Sequence, residues 1–185
     1  IFVDGVFVGK LDRRLGEKEV VLPPCNEGAQ LDILIEAMGR INFGRAIKDF
    51  KGITEKVEIE TKLYGKPFVY DLKGWEVYNI EDEYATYAEM KFMPIDEVSH
   101  RASQRLPGYY RATFNVDYPS DTFLDFSTWG KGLVYVNGHA LGRFWEIGPQ
   151  QTLYMPGCWL RRGENEIIVF DVVGPHKAVV EGLKE

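Results

Sequence analysis

One supersecondary unit occurs twice in this sequence, and that repeat limits the folds open to the chain more than any other feature. Phe2-Val3-Asp4-Gly5 is echoed by Tyr135-Val136-Asn137-Gly138, and Gly9-Lys10 by Gly142-Arg143. Leu22-Pro23 and Cys25 are echoed by Met155-Pro156 and Cys158. With two extra residues allowed in the second copy, Gly28 aligns with Gly163, Leu31–Ile35 with Glu166–Phe170, and Gly39 with Gly174.

Asp-Gly and Asn-Gly are the dipeptides that accept positive φ at both central positions of a tight turn, which is what a type I′ hairpin needs. Apolar residues flank each turn: Phe2, Val3, Val6 and Val8 in one copy, Val134, Val136 and Leu141 in the other. Each copy therefore predicts a hairpin. A short strand ending at proline follows (Val20–Leu22; Thr152–Met155), then a glycine turn, then a buried strand (Leu31–Ala37; Glu166–Val173). Further strands are expected at Ile53–Leu63, Trp75–Tyr78, Tyr109–Val116 and Thr122–Phe126. Charged and apolar residues alternate in Lys56–Glu60, as they do in a strand with one wet face. The stretch from Glu81 to Leu106 is charged and irregular, with room for a helical turn or two. The expected fold is all-β: an antiparallel β-sandwich or jelly roll in two related modules. Gly65 and Pro67 suggest a domain break near Tyr64–Pro67, giving modules 1–64 and 65–185.

Closing two layers takes apolar surface, and the chain has it. Of 185 residues 45% are hydrophobic and 14% aromatic, and flat rings suit a pleated surface. Core packing and a sugar-stacking face both use such rings, so the excess leaves both open. The net charge of −6, with no basic run longer than Arg161-Arg162, argues against nucleic acid or an anionic membrane as partner. The longest apolar runs, such as Ile167–Phe170, fall far short of the roughly 20 residues of a membrane span. Ile1 opens within what reads as a strand, so a longer parent protein is expected. Cys25 and Cys158 make no disulfide framework, and His100, His139 and His176 are isolated, so neither metal nor cofactor is expected.

The run Asp121-Thr-Phe-Leu-Asp-Phe-Ser-Thr-Trp-Gly-Lys-Gly132 leads into Val134-Tyr-Val-Asn-Gly138. Leu141-Gly-Arg-Phe-Trp145, Gly148-Pro-Gln-Gln-Thr-Leu-Tyr154 and Gly163-Glu-Asn-Glu166 come next. This ordered series resembles the C-terminal galactose-binding-domain-like jelly roll of family 35 β-galactosidases. Upstream, Met38-Gly-Arg-Ile-Asn-Phe-Gly44 and Asp49-Phe-Lys-Gly52 resemble the end of the preceding jelly roll in that family. The resemblance covers nearly the whole chain. It implies that 1–64 is the second half of a first, incomplete jelly roll and 65–185 a second one. It also implies a parent retaining glycoside hydrolase acting on terminal β-galactosides, in the periplasm, outside the cell or in the lysosome. The partner it implies is that parent's catalytic (β/α) barrel, which carries a pair of glutamates and which this region would support without catalysing anything itself. The alternative is an autonomous carbohydrate-binding module for galactose-containing glycans.

The residues support no catalytic assignment within the chain. A retaining glycosidase needs two carboxyl groups about 5–5.5 Å apart across a sugar. Glu58, Glu60, Glu81, Asp82, Glu83, Glu164 and Glu166 lie in charged strand faces or turns, where solvation is the ordinary state. Glu146, inside an aromatic stretch, is the exception, and a structural bond to Arg143 or to backbone is expected of it. The carbohydrate-facing candidates are Arg143, Trp145 and Trp129, an aromatic platform with a guanidinium donor. The same residues would also serve as packing against a neighbouring domain. A binding module should expose a coplanar aromatic pair, whereas an accessory module should bury its rings or gather them in an apolar patch. An incomplete first module should expose strand edges, which invite self-association or docking.

Overall fold

A computed structural model describes residues 1–37, 39, 41–80, 83–95 and 105–183. The chain divides into two compact units, Ile1–Tyr78 and Asn79–Glu185.

In the first unit β1 (Phe2–Val3) and β2 (Val6–Phe7) form the expected hairpin, with Asp4 at φ 49° and Gly5 at φ 74°. β3 (Leu31–Asp32) adds antiparallel to β1, giving the order β2-β1-β3. A second hairpin joins β4 (Glu58–Leu63) to β5 (Lys66–Asp71). Its register sets Ile59 opposite Tyr70 and Thr61 opposite Phe68 on one face, with Glu58, Glu60 and Lys62 on the other. The expected break at Tyr64–Pro67 falls on this hairpin's turn, because glycine and proline mark a tight turn and a linker alike. Val20–Leu22 and Trp75–Tyr78 are not strands, and Leu31–Ala37 shortens to two residues. These segments have strand-like side chains, but among the described residues no neighbouring backbone completes a ladder with them.

The second unit is an antiparallel β-sandwich. Its strands are β6 (Gly108–Val116), β7 (Thr122–Asp125), β8 (Lys131–Val136), β9 (His139–Trp145), β10 (Thr152–Met155), β11 (Gly163–Asp171) and β12 (Glu181–Leu183). One sheet has the order β6-β11-β8-β9 and the other β10-β7-β12. Between them lie Leu124, Phe126, Trp129, Val134, Val136, Phe144, Leu153, Met155, Ile167 and Val169. Alternation sends Tyr135 and Ile168 to the opposite face of the four-stranded sheet, where they pack with Tyr87 of the short helix α1 (Tyr84–Ala88). That helix is the turn expected between 81 and 106; residues 81–82, with Glu81 and Asp82, and 96–104 of the stretch lie outside the described residues.

The repeat is visible in hydrogen bonds. The Asp4 N–H donates to the Gln30 carbonyl at 2.9 Å, and Asp4 Oδ1 accepts from the Gln30 N–H at 2.9 Å. The Asn137 N–H donates to the Glu166 carbonyl at 3.0 Å, and Asn137 Oδ1 accepts from the Glu166 N–H at 3.0 Å. Gln30 is thus the counterpart of Glu166, one residue away from the pairing of Leu31 with Glu166 suggested by sequence. The additional residue falls between Gly163 and Glu166. Here the buried Asn165 accepts from the Arg161 N–H (2.7 Å) and from Asn137 Nδ2 (2.8 Å), and donates to the carbonyls of Arg161 (2.8 Å) and Gly163 (2.9 Å).

Candidate functional site

The hairpin β8–β9 turns at Asn137 (φ 48°) and Gly138 (φ 85°) and carries two of the three candidate residues. Phe144 is buried in the core, so strand alternation turns its neighbours Arg143 and Trp145 to the outer face of the four-stranded sheet. Lys131 lies opposite Trp145 in register, with its Nζ 4.5 Å from the centre of the indole. The result is a basic and aromatic face made by Lys131, Arg143 and Trp145. Trp129 is elsewhere. It is 3% exposed, donates from Nε1 to the Val179 carbonyl at 2.8 Å, and packs edge-on against Phe144 and Tyr110. The structure therefore brings Arg143 and Trp145 together and sets Trp129 on the core side of the sheet.

Glu146 begins the loop that leads to β10, in which Gly148–Pro149 is cis. Its N–H donates to the Gly130 carbonyl at 2.7 Å. Its Oε2 lies 2.8 Å from Arg105 Nη2 and 3.2 Å from His176 Nε2. Arg105 Nη2 lies off the hydrogen-bond axis, so this contact is an ion pair by distance alone. Arg105 also donates from Nε to the Gly174 carbonyl at 2.7 Å, and its Nη1 is 2.8 Å from His176 Nε2. Beneath this cluster the fully buried Asp171 accepts from the N–H groups of Gly130 (2.7 Å), Lys131 (3.1 Å), Val173 (2.9 Å) and Gly174 (2.8 Å). Sequence reasoning missed both groupings, because Arg105, Glu146 and the Asp171–His176 segment are far apart in the chain and share no spacing motif.

Other carboxylates are also committed to the scaffold. Glu166 is ion-paired with Arg111 and accepts from the Tyr84 hydroxyl at 2.6 Å. Asp121 accepts from the Gly157 N–H (2.8 Å) and the Tyr154 hydroxyl (2.7 Å), and these two donors hold its carboxyl below the usual carboxylate range. On the outer face of the three-stranded sheet Tyr154, Phe123 and Leu183 align in register as an exposed apolar row. The Phe123 and Tyr154 rings are 5.6 Å apart and tilted by 58°.

Two family models match the chain, "Beta-galactosidase, first all-beta domain" over residues 1–81 and "Beta-galactosidase, galactose-binding domain" over residues 107–165. The chain belongs to the β-galactosidase family. Human "Beta-galactosidase-1-like protein 3" is 34% identical over 176 residues, covering 92% of this chain and 25% of the relative. Mouse "Beta-galactosidase" is 35% identical over 170 residues, 84% of this chain and 25% of the relative. "Beta-galactosidase 17" of Arabidopsis thaliana is 31% identical over 185 residues, 92% of this chain and 25% of the relative. The chain thus spans about a quarter of the length of these relatives, and corresponds to the family's C-terminal β-domain region.

Proposed function

We propose that this chain is the non-catalytic β-sandwich region of a glycoside hydrolase acting on terminal β-galactosides, where it packs on and supports the catalytic barrel. The observation that carries this reading is the disposition of the rings. Trp129, Phe126 and Phe144 fill the core, while the exposed Phe123–Tyr154 pair is tilted and cannot form one flat platform under a sugar. The Lys131 ammonium already occupies a face of Trp145. Arg143 and Trp145 are therefore assigned to contact with a neighbouring domain, not to a sugar clamp. The paired glutamates of a retaining mechanism belong to the barrel. The parent enzyme is assigned to the periplasm, the lysosome or the cell exterior. Without its barrel, the region should recruit a second copy through the open edges of β2 and β3.

The test compares turnover of a chromogenic β-galactoside by the parent protein and by this chain. The parent should hydrolyse it and the chain should leave it at the uncatalysed rate. Turnover by the chain that disappears in Glu146→Gln would overturn the reading.

A further inference from the structure

We propose that residues 43–50 form a preformed docking seat through which Ile1–Tyr78 meets the rest of a full-length β-galactosidase-family protein, on an apolar surface rimmed by carboxylates. This rests on the accessory reading and says where the contact lies. The segment holds Phe43, Gly44, Asp49 and Phe50 of the Met38–Gly44 and Asp49–Gly52 runs that resemble the family. Its large apolar side chains point to solvent: Phe43 is 87% exposed, Ile47 59% and Phe50 80%. Exposed Arg45 and Lys48 flank Ile47.

The backbone beneath these side chains is held. Arg45–Lys48 is a 3₁₀ turn. The Arg13 guanidinium grips both oxygens of Asp49, at 2.5 and 3.1 Å, and donates to the Phe50 carbonyl at 3.1 Å. Arg13 itself opens a 3₁₀ turn, Arg13–Leu15, capped by the Asp12 side chain. Lys51 Nζ reaches the Gly39 carbonyl at 3.3 Å. Anchored backbone with outward aromatic side chains is the pattern of a surface already ordered for a partner, since ordering lowers the cost of association. The occupant follows from the family: about three quarters of each relative's length lies outside the matched region, which supplies a covalently tethered partner. The two cations specify the carboxylate rim of that partner.

The experiment is hydroxyl-radical footprinting of the full-length parent protein, native and denatured, with mass-spectrometric readout. Phe43 and Phe50 should oxidise several-fold more slowly in the native protein, and Arg45→Glu/Lys48→Glu should restore their labelling without unfolding the protein. If both phenylalanines label at the denatured rate while X-ray scattering shows one compact particle, the seat is wrong and the accessory reading stands. Scattering from two independently moving bodies would remove the accessory reading as well. Protection that vanishes on dilution to monomer would assign the seat to a second copy of the chain and overturn the proposal.

Discussion

The two hairpins at Asp4-Gly5 and Asn137-Gly138 use one device in opposite surroundings. Each closes with positive φ at both turn residues, and each clamps the equivalent later residue of its own unit, Gln30 or Glu166, through a backbone bond and a side-chain oxygen. Around Asn137 the clamp runs into Asn165 and a two-sheet core. Around Asp4 it lies at the surface, and Val3 is the only buried hydrophobic among the described residues of Ile1–Tyr78. The difference separates two causes that sequence patterns blend. Turn chemistry is local and folds the hairpin wherever it occurs. Burial needs a second layer, which β10-β7-β12 supplies in one unit and no strand among the described residues supplies in the other. Sheets of two or three short strands are marginal alone, so the first unit has more to gain from an added layer than the second.

Exchanging the two clamp residues should break the symmetry most sharply. Asn137→Asp keeps the oxygen that accepts from Glu166 but removes the donors to the Trp159 carbonyl and Asn165 Oδ1, both at 2.8 Å, and sets a charge against those oxygens. The expected loss is about 2–4 kcal/mol, the cost of unpaired buried polar groups. Asp4→Asn keeps the single acceptor role seen for the Asp4 side chain, so the change should stay within about 0.5 kcal/mol. Both residues tolerate positive φ, so backbone strain cancels from the comparison. Denaturant unfolding measures the pair. Equal losses would mean that the turn, not its burial, sets the stability.

Legibility follows the same division. The turns, β6 to β8, β10 and the body of β11 could be read from dipeptides and alternation, because each is determined by residues near in sequence. The residues that resemble the family could be read in order, and both family models fall on them. The one-residue shift of the second clamp could not be read, since Asn165 looks like any polar turn residue until its four bonds are seen. The candidate site was half legible. Alternation about Phe144 places Arg143 and Trp145 on one face, but nothing local announces that Trp129 turns inward to Val179 or that Glu146 meets Arg105 and His176.

Alkali should weaken the second unit through Tyr110, and acid should weaken surface carboxylate contacts in both units. Burial, with the nearby Asp171 carboxylate, pushes Tyr110 up to about 12. The folded second unit keeps this phenol neutral while the unfolded chain ionises near 10, so stability present below pH 10 is lost as pH rises toward 12. After allowance for screening of a half-exposed ring, the loss is about 1–2 kcal/mol. In the first unit the Arg13 guanidinium holds the Asp49 carboxyl below its ordinary value of 3.8. That contribution is present above pH 3.8 and is lost as pH falls through the folded pKa, so acid should loosen the 43–50 segment, as it should the Asp121 contacts of the second unit. Amide exchange at the two extremes would read both. Alkali that releases the first unit before β6 would contradict the assignment.

The smallest expected effect lies in a turn that sequence reading took for a boundary. Tyr64 (φ 49°) and Gly65 (φ 76°) give β4–β5 the same pair of positive φ values as the two repeat hairpins, but with tyrosine where those have Asp or Asn. An L-residue with a bulky side chain pays for the left-handed conformation, and Asn tolerates it better. Tyr64 is 99% exposed, so its ring has little packing to lose. Tyr64→Asn should therefore stabilise this hairpin by about 0.5–1 kcal/mol, slowing amide exchange across the Ile59–Tyr70 pairing about two- to fivefold. Asn137→Tyr, the reverse exchange in the second unit, should destabilise by much more, because it removes the buried amide as well as the tolerant backbone. Unchanged or faster exchange in Tyr64→Asn would show that the exposed ring stabilises the hairpin by a route other than backbone strain, and the parallel among the three turns would then stop at their dihedral angles.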